Sequence, residues 1–227
     1  MSDVFIAGHS LGAAEACIYA FSRARRGLPV IGVYVFGCPR PGDHTLGAAV
    51  ASAPVWRSIR NAKPSPAFFL DHDLITDDPP DMPLLDDRYS QMAPFEDCHA
   101  PPAAGDPWGP FAWHHIQLYQ QGCRALPPTG PGTGVELVEA VDAVADLYNN
   151  AGRWDFEHFI DGQYWGGRIM PSGAKLLIAR GSVTELDWRH DFESITQTDF
   201  LGARVSTGFL AGVVPAGRAL DAWLAPP

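Results

Sequence analysis

Apolar residues run almost unbroken from Asp3 to Ala7 and again from Val30 to Phe36, which predicts two short strands covered on both faces. Between them, Leu11 to Arg26 is alanine-rich and free of proline, with Arg23, Arg25 and Arg26 at its end and Gly27 behind. Cations in a last turn followed by glycine mark a helix C-terminus. Val55 to Arg60 predicts a third strand, and the alternation of strand and helix predicts a parallel sheet with covering helices. Lys63 to Gly109 is rich in proline and aspartate and predicts a long loop; His115 to Gln120 then reads as a strand. Leu126 to Gly134 is a linker of proline, glycine and threonine. Beyond it, Leu137, Val138, Val141, Val144, Ala145 and Tyr148 fall at helical spacing. Gly166 to Met170 and Lys175 to Ala179 predict a strand pair around Pro171-Ser172-Gly173. Phe209 to Leu224 predicts a helix that Pro215 kinks or starts.

Composition narrows the class. A chain of 227 residues with 46% hydrophobic content can bury one sizeable core. Its net charge of −10 argues against nucleic acid or an anionic membrane as partner, and suits a neutral or weakly polar small molecule. No apolar run is long enough to span a bilayer, and no basic leader precedes an apolar stretch, which gives a cytoplasmic expectation by default. Cys17, Cys38, Cys98 and Cys123 form no C-x-x-C pair, so structural zinc is not expected. Buried thiols, or one disulfide between Cys98 and Cys123, are the two readings left open.

The chemistry begins at Gly8-His9-Ser10-Leu11-Gly12. A strand, a G-x-S-x-G turn and a helix form a nucleophile elbow, which holds a serine hydroxyl out at the end of a sheet. Packing of strand on helix accounts for the two glycines but not for the residues between them. A serine hydroxyl attacks an ester when a neutral imidazole removes its proton, and that imidazole needs a carboxylate to fix its tautomer. In such folds the acid and the histidine follow the serine in that order. The segment Asp73-Leu74-Ile75-Thr76-Asp77-Asp78-Pro79-Pro80 supplies the acid, and Trp113-His114-His115-Ile116 supplies the imidazole.

Taken in order, the elbow, Val35 to Gly42, Arg60-Asn61, Asp73 to Pro80 and His115-Ile116 resemble the second half of the class 3 lipases, a branch of the α/β hydrolases. The resemblance implies Ser10 as nucleophile, Asp73 as orienting acid and His115 as base, with Asp71 and His114 as the alternatives. What that family places before its elbow stands after the linker here. Lys175 to Ser182 resembles the strand that ends in Arg-Gly-Ser/Thr, and implies that Ser182 builds the oxyanion hole with the backbone N–H of Leu11. Asp187-Trp188 and Asp191 match the lid pattern that follows. Val205 to Leu210 matches the helix that leads to the elbow, with Ser206 where histidine is usual.

The resemblance is thus to a circularly permuted class 3 lipase: one α/β-hydrolase domain made of residues 1–124, a linker 125–134 and residues 135–227. It implies a serine carboxylic-ester hydrolase that takes a small-molecule ester or lipid, needs no metal or cofactor, and touches a lipid interface only transiently. Trp188, Phe192 and Ile195 read either as core residues or as a small lid. Two other readings stand beside it. One is a non-catalytic binding protein that keeps the fold. The other is a swapped dimer rather than a monomer, because the proline-rich linker is short.

Overall fold

In the computed structural model, residues 3–63, 73–77, 94–128, 134–160, 163–181 and 196–225 are described. Their centre is a seven-stranded sheet in the order β4-β3-β2-β1-β7-β6-β5. Strands β1 (Val4–His9), β2 (Gly32–Phe36), β3 (Val55–Asn61), β4 (Phe95–Cys98) and β7 (Lys175–Arg180) are parallel to their neighbours among themselves. Strands β5 (Phe156–Ile160) and β6 (Gln163–Ile169) extend the sheet antiparallel beyond β7. The sheet is therefore mostly parallel and of the α/β class.

β1 lies between β2 and β7, pairing Ala7 with Tyr34 on one side and Ile178 on the other. All six of its residues are buried, as the apolar run requires of a central strand. Residues from before and after the linker thus close one sheet within a single chain.

Helices α1 (Leu11–Arg25), α2 (His44–Ala51) and α5 (Thr207–Leu224) cover one face, where Ile6, Val33, Leu177, Ile18, Leu46 and Phe209 share a core. Helices α3 (Ile116–Cys123) and α4 (Leu137–Tyr148) cover the other, over Phe5, Tyr34, Ile178 and Val141. α4 begins on a capping box of Glu136 and Glu139, and α2 on Asp43, whose carboxylate accepts from Thr45 and Leu46 N–H. A small hairpin of β8 (Gln197–Phe200) and β9 (Ala203–Ser206) stands apart and feeds α5.

Three expectations are corrected. Residues 116–123 are helical, not a strand. Ile116, Tyr119 and Cys123 are the buried hydrophobic members, and a spacing of three and four is the helical one that a short apolar run disguises. The loop between Lys63 and Gly109 holds strand β4, whose Glu96 and Asp97 hid it behind charge while pairing with Arg57 and Arg60 on β3. Pro215 does not start α5, which runs through it from Thr207 to Leu224. It sits on the exposed side of the helix, where the carbonyl it frees meets solvent. All four cysteines are free and buried, so the thiol reading holds over the disulfide.

Candidate active site

Ser10 stands between β1 and α1 with φ at 59°, a conformation that side-chain-bearing residues rarely hold. Glycines on both sides make this possible. A Cβ at Gly8 would strike the carbonyl of Gly12, and one at Gly12 would strike the carbonyl of Ala179 on β7. Ser10 caps α1 by position, yet its side chain makes no capping hydrogen bond. The hydroxyl is therefore not committed to the helix. The N-terminus of α1 behind it carries partial positive charge.

Gly37 follows β2 with φ at 55°, and the chain turns there beneath the buried Asp73 and His114 side chains. Asp73 follows β3 by way of its N–H, which donates to the Asn61 carbonyl at 2.8 Å. Its Oδ2 accepts from His114 Nδ1 at 2.6 Å and from the Tyr119 hydroxyl, and its Oδ1 accepts from Ile75 N–H at 3.0 Å. Burial alone would raise the Asp73 pKa. The charge of His114 and the bonds from His114, Tyr119 and Ile75 outweigh it and hold the carboxyl below its usual value of 3.8.

His114 closes the short 3-10 turn Gly109–His114 and is buried. With Nδ1 bound to Asp73, its Nε2 is buried and has no hydrogen-bond partner among the described residues. The ring stacks on His9, the residue before Ser10, with centroids 4.5 Å apart. The structure thus assembles Asp73 and His114 against the elbow.

His115 is not brought there. It leaves the turn in extended conformation ahead of α3, lies tilted against the Trp108 ring, and sets its Nε2 3.3 Å from Asp106. The cause is the helix misread as a strand. When Ile116, Tyr119 and Cys123 face inward, the residue just ahead of α3 is turned away from the acid. Asp71, Ser182, Trp188, Phe192 and Ile195 lie outside the described residues.

Asn61 is a buried hub beneath the site. Its Nδ2 donates to the carbonyls of Ala100 and Trp113, and its Oδ1 accepts from Ala100 N–H at 3.0 Å. It therefore fixes the main chain next to His114. Tyr119, Tyr148 and His9 also enter the site's hydrogen bonding, and in a single sequence only His9, inside the elbow, carries a signal. Among the described residues no cluster of metal-binding side chains occurs. No described helix is long and apolar enough to cross a membrane.

Against known proteins, the family model "Lipase (class 3)" matches residues 2–80, which hold the elbow, β2, β3 and Asp73. Residues 2–80 are thus similar to the class 3 lipases over about a third of the chain. The chain is also similar to two curated plant proteins named Phospholipase A1-II 1, from Oryza sativa subsp. indica and subsp. japonica. Each is 27% identical over 170 residues, covering 72% of this chain and 39% of the relative. The chain thus spans about two fifths of the length of these curated relatives. No solved structure matches. The mostly parallel sheet agrees with that similarity.

Proposed function

We propose that the chain hydrolyses carboxylic esters, lipid esters among them, through an acyl-enzyme on Ser10. The observation that carries this is the buried Asp73–His114 pair, its His114 ring stacked on His9 of the elbow and its Nε2 without a partner among the described residues. In this reading His114 Nε2 takes the Ser10 proton as Oγ attacks the acyl carbon. The proton then passes to the oxygen of the departing alcohol, and water repeats the sequence to free the acid. Asp73 keeps the proton on Nδ1 and faces the imidazolium charge as it forms. The Leu11 N–H at the head of α1 is one oxyanion donor and Ser182 is the proposed second; losing one such donor typically costs about 3–4 kcal/mol of transition-state stabilisation.

The curated relatives' name supports a glycerolipid ester as substrate class. We read the order of the two sequence blocks as a permutation of the usual class 3 arrangement. Lys175 supports this, because its N–H binds the Asp3 carbonyl while its Nζ binds the carbonyls of Trp223 and Ala225. The test of function is hydrolysis of p-nitrophenyl esters of graded chain length. Wild-type protein should turn over at least one, and Ser10→Ala should not. Equal rates in the two proteins would refute the nucleophile.

A further inference from the structure

His9 is the elbow residue that the mechanism above leaves without a task. It is 4% exposed, at the end of β1. Its Nε2 lies 2.8 Å from the carbonyl oxygen of His114, which can only accept, so Nε2 carries the proton. In a neutral ring Nδ1 must then accept, and the Tyr148 hydroxyl sits 3.0 Å away to donate. The Tyr148 oxygen in turn accepts from the N–H of Gly181, the residue that follows β7. Every bond in this series has one sense, from Gly181 N–H to Tyr148, to His9, to the main chain of His114.

The ring is held on its faces as well. His114 stacks on it at 4.5 Å, and Tyr119 and Tyr148 meet it edge-on at 5.4 and 5.5 Å. Gly181 is a glycine for the same reason. A Cβ there would lie 2.6 Å from the His9 carbonyl oxygen and 2.9 Å from Ser10 Cβ. Burial, and then the neighbouring His114, keep the pKa of His9 well below 6.5. A neutral ring is the partner that an imidazolium forming on His114 can tolerate at stacking distance.

We propose that His9 is a positioning residue. Through the series Gly181–Tyr148–His9 it fixes the main chain and ring plane of His114, so that Nε2 points at Ser10. Asp73 holds the base at one nitrogen and His9 holds it at its carbonyl, and two points of attachment define a direction where one does not. The series also couples the base to the end of β7, the segment on which the second oxyanion donor is proposed. This proposal rests on His114 being the base.

Tyr148→Phe tests it, because this change removes only the hydroxyl and keeps the ring. In protein with 15N-labelled histidine rings, wild-type His9 should appear as the Nε2–H tautomer. The downfield Nδ1 proton of His114 should mark its bond to Asp73. Tyr148→Phe should leave His9 Nδ1 without its donor, change the Nδ1 nitrogen shift, and shift or broaden the His114 proton. With p-nitrophenyl butyrate, kcat should fall about ten- to a hundredfold while KM changes less than about twofold, as expected of a displacement of up to about 1 Å. An unchanged His114 resonance would overturn the proposal whether or not the protein hydrolyses esters. So would a kcat within about twofold of wild type. Absence of hydrolysis in wild-type protein would count against the ester-hydrolase reading instead, and the resonances would still decide the role of His9.

Discussion

Gly37→Ala places one methyl group against the buried pair. An ideal Cβ at Gly37 would lie 2.6 Å from Asp73 Oδ2, 2.8 Å from His114 Cε1 and 2.9 Å from His114 Nδ1. Ordinary non-bonded contact begins near 3.5 Å, so the pair must retreat by roughly 1 Å or the turn must open. Neither partner has room, since both are buried and Asp73 is bound by Tyr119 and Ile75 as well. A displacement of that size typically costs about a hundredfold in rate. The substitution also forces a side chain into φ 55°, at a cost of about 1–2 kcal/mol. Gly27→Ala separates the two effects. Gly27 has φ 71° and nothing within 4 Å of an added Cβ. Both variants should lose a few degrees of melting temperature, about 2–4 °C per kcal/mol for a chain of this size. Only Gly37→Ala should lose kcat/KM for p-nitrophenyl butyrate by about a hundredfold. If Gly37→Ala keeps kcat/KM within about threefold, or if Gly27→Ala loses as much, the placement of the pair is wrong.

Folding stability should depend on pH in a direction set by two buried groups. Burial and His114 hold His9 below its free value of 6.5, so the unfolded chain binds that proton first and stability falls as pH drops from about 6.5 towards the folded pKa. Asp73 is lowered from 3.8, so its contribution is complete above that value and is lost as pH falls through its folded pKa. Melting curves from pH 7 to pH 5 should show a decline that His9→Gln flattens; an identical slope in the two proteins would contradict the assignment. For the permutation, a chain joining residue 225 to residue 3 by a short linker and opened within residues 126–134 should keep the wild-type melting temperature within a few degrees. Loss of cooperative melting would contradict it.

How much was legible depended on how locally each feature is encoded. The elbow was, because Gly8, Ser10 and Gly12 are contiguous and each meets a steric demand within the turn. So were β1, β2, α1 and the β6–β7 hairpin, whose apolar periodicity is set by their own burial. The class 3 resemblance, and with it the parallel sheet, followed from these contiguous motifs. Which histidine meets the acid was not legible. His114 and His115 are adjacent, and only the helical phase of Ile116, Tyr119 and Cys123 decides which faces the acid. Strand β4 was hidden because half its residues are acidic, and their partners Arg57 and Arg60 lie some 40 positions away on β3. Tyr119 and Tyr148 join the site through contacts across the fold, which one sequence does not announce.

Labelling with a serine-directed phosphonate, read by intact mass and by the modified peptide, tests the assembly of elbow, acid and base most directly. Wild-type protein and His115→Ala should both carry one adduct on Ser10, at comparable rates. Ser10→Ala should carry none, and His114→Ala should label at least a hundredfold more slowly, or roughly the loss expected when a general base is removed. Prompt labelling of His114→Ala, with labelling lost in His115→Ala, would contradict the account.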